Sequence, residues 1–317
     1  MLLSPIYDHD FYDFSHGFRS GHSQHGALKE LERHCWEKNI SWIVDADVSG
    51  FFDNLDHAIL REFIQRRVND GGVKRLIGKW LNAGVVEDGQ WTRSKQGTPQ
   101  GGVISPLLAN IFLHYVLDEW FVKEVQPRMR GRCFLVRYAD DFIIGFETED
   151  DARRVMEVLP KRFARFGLSI HPEKTKLVRF GRPPRGDAPE GNGTVDFLGF
   201  TYFWAKSRRG KWIIKKKTRG ARVNRFVKSI WQWCRTNRHE PLEKQHKELC
   251  LKLRGHYQYY AVNHNYQALN DVWHHSKRAW HYWLSKRCSK GVVRWVNFEK
   301  VISTKFPLPL PRILHQI

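Results

Sequence analysis

The chain has 317 residues, of which 41% are hydrophobic and 27% charged, and it carries a formal net charge of +20. A chain of this length can bury a sizeable core and form two domains. It has neither an apolar run of 18 residues nor a leader-like N-terminus, so we expect a cytoplasmic protein without membrane segments. Its five scattered cysteines form no C-x-x-C pair, which argues against a disulfide framework and a zinc site.

The first hundred residues predict alternating helices and strands, because apolar residues recur there at helical spacing and then alternate as in a strand. The predicted elements are a helix over 26–36, a strand over 41–48, helices over 56–68 and 73–83, a glycine-rich loop over 97–102 and a buried helix over 106–120.

Two adjacent carboxylates follow, at the tip of a predicted hairpin. Tyr138-Ala139-Asp140-Asp141 lies between an apolar run ending at Val136 and the run 142–146. Adjacent carboxylates repel each other, and their hard oxygen atoms favour Mg²⁺ or Mn²⁺ as the compensating cation. Asp47 ends a predicted strand 93 positions before Asp140 and would complete a site for two metal ions. The alternative for the dipeptide alone is a solvated turn.

The remaining chain predicts a helix over 155–166, a surface-loop region over 182–193 and 206–220, and then three helices whose apolar stripes are separated by Lys and Arg. We therefore place a domain boundary at residue 205, giving domains 1–205 and 206–317. Residues 1–200 hold 27 Lys and Arg against 28 Asp and Glu, whereas residues 201–317 hold 26 against 5, together with eight of the 13 tryptophans. This pattern indicates a folded domain that binds a polyanion, with nucleic acid favoured over a membrane and solubility charge as the alternative.

Several of these segments resemble the sequence blocks of reverse transcriptases, in the same order. The segments 42–57, 96–113, 137–144, 168–177 and 195–202 resemble blocks three to seven, and 253–260 resembles the signature of a maturase domain. The chain is similar to the group II intron type, a reverse transcriptase joined to a maturase. The resemblance implies an α+β polymerase right-hand fold, with partial fingers and a palm containing an antiparallel sheet, followed by an all-helical thumb/maturase domain.

The resemblance also implies roles for individual residues. Asp47, Asp140 and Asp141 match the catalytic metal-binding triad, for two Mg²⁺ ions with Mn²⁺ possible, and Val48 is a further metal and substrate contact. Other implied substrate contacts are Phe52 as a steric gate against ribose, Gln100, Gly101 and Tyr138, and Lys174 would protonate the leaving pyrophosphate. Ordinary packing is the alternative for Phe52, and a solvated side chain is the alternative for Lys174. The candidate RNA contacts are Arg208, Arg209, Lys215, Lys216, Lys217, Arg219, Arg222, Arg225 and Arg254.

The resemblance begins inside the second block, at residues 4–7, so we expect the chain to lack the N-terminal extension and the first block. The leading expectation is an RNA-directed DNA polymerase with a maturase role, associated with RNA or the nucleoid in the cytoplasm. Its partners would be an RNA template, intron RNA, a DNA primer, dNTPs and a second copy in a homodimer, and no membrane. The alternatives are a non-catalytic RNA-binding splicing cofactor and an inactive truncated remnant of a mobile element.

Overall fold

A computed structural model of the chain describes residues 3–81, 85–87, 90–92, 97, 104–184, 191–287 and 293–317. Backbone contacts divide the chain into two compact units, residues 1–198 with 206–213, and residues 199–205 with 214–317. The predicted boundary at residue 205 falls where the chain passes between the units, and it stays a prediction as a division between functional domains. No helix in the described part of the chain is long and apolar enough to cross a membrane.

The first unit surrounds an antiparallel four-stranded sheet with helices. Its helices are α1 Leu3–Asp8, α2 Gln24–Glu37, α3 His57–Gln65, α4 Gly71–Leu81, α5 Ser105–Leu113 and α6 Glu149–Ala164. Its strands are β1 Trp42–Ala46, β2 Val48–Ser49, β3 Val85–Glu87, β4 Gln90–Thr92, β5 Cys133–Tyr138, β6 Asp141–Phe146, β7 Ser169–Ile170, β8 Lys176–Arg179 and β9 Val195–Phe197. The helix predicted over 106–120 begins as α5 and continues through wider π turns, His114–Asp118 and Phe121–Val125.

The sheet has the strand order β5-β6-β1-β8, so the predicted hairpin lies next to the strand that leads to Asp47. In β5 and β6 nearly every residue is buried, because α5 and α6 contribute to the same hydrophobic core. Local signals fix the flanking helix: the Thr148 side chain accepts a hydrogen bond from the Asp151 amide at the start of α6, and Gly167 follows its end with φ +73°.

The second unit consists of a hairpin and a helical bundle. It contains most of the strands β10 Phe200–Lys206 and β11 Trp212–Thr218 and the helices α7 Gly220–Thr236, α8 Leu242–Tyr260, α9 Tyr266–Ser285, α10 Trp295–Asn297 and α11 Ser303–Lys305. The three predicted helices are confirmed as α7, α8 and α9, and their apolar stripes form one core.

The prediction of a surface loop over 206–220 was wrong, because residues 212–218 form strand β11. Ile214, Lys216 and Thr218 point inward at alternate positions, so the strand has a buried face despite its three consecutive lysines.

Candidate active site

The β5–β6 hairpin and strand β1 bring the three predicted acids to one edge of the sheet. Tyr138 pairs with Asp141 across the hairpin, and the turn between them contains Asp140. Ala46 pairs with Phe142, so Asp47, the next residue after β1, lies beside Asp141.

The carboxylates are close enough to disturb each other's ionisation. Burial and then the negative charge of Asp47 raise the pKa of Asp140. Burial and then the charges of Asp45 and Asp140 raise the pKa of Asp141 to about 7, against a backbone hydrogen bond from Leu198 that lowers it. The negative charges around Asp141 therefore disfavour its ionised form in the absence of a compensating cation. Asp45 was missed as a site residue, although it shares a strand face with Asp47 two positions later.

The predicted catalytic lysine lies against one of these acids. Lys174 Nζ is 3.0 Å from Asp47 Oδ2, and both side chains are about half exposed. The backbone just before Lys174 also contacts Asp47. The amide of His171 donates a hydrogen bond of 2.8 Å to the carbonyl oxygen of Asp47. The structure therefore brings Lys174 together with Asp47, from which it is separated by 127 positions in the sequence.

The acids fit a hard cation by the chemistry of their donors. The three predicted acidic ligands offer carboxylate oxygens, and their mutual repulsion means that a cation between them would be stabilised. Their present arrangement is not a finished coordination shell: the described residues contain no group of three or more His, Cys, Asp and Glu side chains positioned to hold a metal ion.

A buried arginine supports the turn that carries the acids. Arg137 is fully buried, and its guanidinium donates to both carboxylate oxygens of Asp118, at 2.8 and 2.5 Å. It also donates to Asn110 Oδ1 (2.9 Å), to Ser15 Oγ (2.7 Å) and to the carbonyl oxygen of Ala139 (2.9 Å). Ala139 has φ +57°, a left-handed conformation that is unfavourable for alanine. The side chain of Arg137 therefore bonds directly to the strained residue before the acids.

A second segment packs on the same turn from outside. Asn110 Nδ2 donates to the carbonyl oxygen of Gly17 at 2.6 Å. A Cβ atom at Gly17 would lie 2.3 Å from the backbone nitrogen of Ala139, so only glycine allows this approach. The turn is thus held between residues 15–17 and the Arg137 side chain.

Comparison with known proteins identifies the family of this fold and site. The family model described as reverse transcriptase (RNA-dependent DNA polymerase) matches residues 1–202. The chain belongs to the reverse transcriptase family.

Individual relatives confirm the resemblance to group II intron reverse transcriptase/maturases. The group II intron-encoded protein LtrA of Lactococcus lactis subsp. cremoris is 34% identical over 192 residues, which are 57% of this chain and 32% of LtrA. Nuclear intron maturase 3, mitochondrial, of Arabidopsis thaliana is 23% identical over 211 residues, which are 57% of this chain and 29% of that protein. The match therefore spans about a third of the length of each of these two relatives.

A solved structure supports the predicted right-hand polymerase fold. Telomerase from Candida albicans, in complex with a TWJ fragment of telomeric RNA, matches 97% of this chain and 56% of its own, with a TM-score of 0.51 and 12% identity. This likeness concerns the fold alone. Together with the family match, it confirms the predicted fold class.

The structure describes three of the five other substrate contacts that the reverse transcriptase blocks imply. Phe52 is partly buried, with its ring centroid 5.3 Å from that of the buried Phe51. Val48 is buried in β2, and the Tyr138 ring lies 6.1 Å from that of Phe18. Gln100 and Gly101 lie outside the described residues.

Gly97 lies at the start of the fourth block, residues 96–113, and is among the described residues. A Cβ atom there would lie 2.8 Å from the carbonyl oxygens of both Phe52 and Asp53, and its φ is +86°. Its amide donates to the carbonyl oxygen of Leu55 at 2.9 Å. The start of the fourth block is therefore fixed beside Phe52.

One candidate RNA contact must be corrected. Lys216 is fully buried, and its ammonium donates to the carbonyl oxygen of Ile317, so it is not available to a phosphate on the surface. Lys215 is partly buried. The remaining candidates are exposed at the surface: Arg208, Arg209, Lys217, Arg219, Arg222, Arg225 and Arg254.

Proposed function

We propose that the chain acts as an RNA-directed DNA polymerase of the group II intron type, joining dNTPs to the 3′-hydroxyl of a DNA primer on an RNA template. The observation that carries this proposal is the meeting of Asp47, Asp140 and Asp141 at one sheet edge in a member of the reverse transcriptase family.

The three acids would hold two Mg²⁺ ions, or Mn²⁺, with the backbone of Val48 as a further contact. Bound divalent metal supplies Lewis-acid chemistry, which lowers the pKa of the primer hydroxyl and neutralises charge on the triphosphate. Arg137 and Gly17 would keep the carboxylates in position while substrate binds. Lys174, already 3.0 Å from Asp47, would donate a proton toward the leaving pyrophosphate.

Substrate selection would depend on the residues beside the acids. The partly buried Phe52 ring would exclude a ribose 2′-hydroxyl, while Tyr138 and the loop containing Gln100 and Gly101 would contact the incoming nucleotide and template.

The second unit would bind RNA and give the protein its maturase role. Its support is the charge distribution, since residues 201–317 hold 26 Lys and Arg against 5 Asp and Glu. LtrA is named as a group II intron-encoded protein, so we propose intron RNA as a partner beside the template. By the same resemblance we propose a homodimer, associated with RNA in the cytoplasm or nucleoid.

Primer extension tests the polymerase proposal. With Mg²⁺, a poly(rA) template and an oligo(dT) primer, the chain should incorporate dTTP, and Asp140→Asn should abolish incorporation. Glu157→Gln, at an exposed carboxylate on α6, is the matched control and should retain activity. An absence of incorporation by the wild-type chain at any Mg²⁺ or Mn²⁺ concentration would refute the proposal.

The ion pair between Lys174 and Asp47 favours a second candidate, a non-catalytic RNA-binding splicing cofactor, because the ammonium already neutralises one of the acids. That function predicts tight, salt-sensitive binding of intron RNA without primer extension. Activity lost on Asp140→Asn would exclude it as the sole function.

A further inference from the structure

The second unit has an aromatic groove on its surface, formed by Trp231, Arg278, His281, Tyr282 and Trp295. The groove has a volume of about 510 Å³. Its three largest aromatic side chains are unusually open to solvent, with exposed fractions of 40%, 42% and 41% for Trp231, Tyr282 and Trp295.

These exposed rings are not part of the helical core. On the same helix α9, Trp280 is 1% exposed and its indole nitrogen donates to Gln245 Oε1 at 2.9 Å. Helix α9 therefore has one aromatic face in the core and a second one turned outward. Large exposed aromatic surface of this kind typically marks a binding site.

Two rings of the groove are stacked on each other and form its stacking surface. Trp231 and Tyr282 are stacked, with centroids 4.9 Å apart and planes inclined by 29°. Trp283 meets Trp231 edge-on at 5.7 Å, which fixes the Trp231 ring from the side. A planar ligand can extend such a stack without rearrangement.

Cations surround this stacking surface. Arg278 lines the groove, Lys286 Nζ lies 5.7 Å from the centre of the Tyr282 ring, and the Arg235 guanidinium lies 5.8 Å from that of Trp283. The five lining residues include no acid. The ligand must therefore combine a flat apolar part with negative charge, which describes a nucleotide better than an apolar peptide.

We propose that the aromatic groove binds an unpaired base of an RNA strand, which stacks on Trp231 and Tyr282 while Arg278 and Lys286 lie near its phosphates. This inference rests on the proposed RNA-binding function of the second unit and adds to it a site that recognises bases rather than backbone charge alone. Base–aromatic stacking is tolerant of sequence, since every base has an apolar face.

Fluorescence anisotropy with a labelled single-stranded RNA of about 12 nucleotides tests the groove. Trp231→Ala and Tyr282→Ala should each weaken binding by about 5- to 100-fold, the range that base stacking contributes. Tyr282→Phe should restore affinity because it keeps the ring. Tyr266→Ala, a more exposed aromatic on the same helix, is the matched control and should bind like the wild type. Circular dichroism melting of every variant verifies folding.

Ligands that differ in their bases or sugars distinguish the contribution of base stacking to binding from that of general electrostatic attraction. An RNA of the same length with abasic positions should bind wild type and Tyr282→Ala equally, and the salt dependence of binding should be the same for both. A DNA strand of the same sequence shows whether the sugar contributes: weaker binding of DNA by wild type supports the assignment to RNA, and equal or tighter binding overturns it.

Two different results would contradict the proposal that the groove binds RNA bases, and the experiment distinguishes them. If the wild type binds RNA and both alanine variants bind it equally well, the groove proposal fails while RNA binding by the basic surface stands; an altered oligomeric state in those variants would then identify a protein interface. If the wild type binds no RNA at all, the proposed RNA-binding function fails with it.

Discussion

The acids of the candidate site depend on a residue that would not itself touch substrate. Arg137 satisfies its guanidinium donors entirely within the protein, through Asp118, Asn110, Ser15 and the carbonyl oxygen of Ala139. Because Ala139 is held in a left-handed conformation, the turn needs such external support to remain in place. We infer that Arg137 is a positioning residue for Asp140 and Asp141.

Replacing Arg137 by methionine should be strongly destabilising. The change leaves the Asp118 carboxylate buried without its partner, which typically costs about 3–5 kcal/mol of the free energy of unfolding. Urea denaturation followed by circular dichroism measures this loss. Primer extension by the folded fraction should fall as well, because the turn loses a bond to Ala139.

The double variant Arg137→Met/Asp118→Leu separates stability from positioning. It removes both buried charges, so most of the lost free energy of unfolding should return while primer extension stays low. Full recovery of both stability and activity would contradict a positioning role for Arg137.

At the scale of the element, strand β11 places three consecutive lysines in different surroundings, because successive side chains of a strand point to opposite faces. Lys216 points inward and is fully buried, whereas Lys217 is exposed with its ammonium 5.4 Å from the centre of the Phe203 ring. Two neighbours of the same residue type therefore have opposite roles, one in the fold and one on the surface.

Neutralising these two lysines should have separable effects. Lys217→Gln should weaken RNA binding and reduce the slope of log K against log salt by about 1, as expected for one lost phosphate contact. Lys216→Met should lower the free energy of unfolding, because the hydrogen bond to the Ile317 carbonyl is lost, and leave the salt slope unchanged. A salt slope that changes for Lys216→Met but not for Lys217→Gln would show that the register assigned to β11 is wrong.

Local patterns predicted most helices and the hairpin because their signals lie within single segments. Asp140 and Asp141 were noticed as adjacent carboxylates between two apolar runs, and Asp47 as an acid that ends another strand, but their assignment to one metal-binding triad depended on the resemblance to the reverse transcriptase blocks. The burial of Lys216 was missed because β11 was interpreted as a charged loop. The partners of Arg137 could not be predicted, since Ser15 and Asn110 reach it only through tertiary packing, across 122 and 27 positions.

On the scale of the whole molecule, each of the two units contains a buried histidine whose charged form is disfavoured by burial. In the first unit, burial lowers the pKa of His114, against the charge of Asp118 that raises it. In the second unit, burial alone lowers the pKa of His256 to about 4. The His256 ring packs 4.2 Å from Phe226 and 4.6 Å from Tyr260, and its Nε2 has no hydrogen-bond partner among the described residues.

These histidines should make the protein lose stability in weak acid. The pKa of His256 is about 4 in the folded protein, below its usual value of 6.5. The fold is therefore most stable above pH 6.5, and it loses stability as the pH falls toward 4, because the unfolded chain then binds a proton that the folded protein does not. For His256 the loss between pH 7 and pH 5 is about 2 kcal/mol of the free energy of unfolding. His256→Phe keeps a neutral ring between Phe226 and Tyr260 and should reduce the pH dependence by this amount, as measured by urea denaturation at both pH values. His239→Gln, at an exposed histidine, should leave the pH dependence unchanged; an equally steep loss of stability in His256→Phe would show that His256 is already charged in the folded protein.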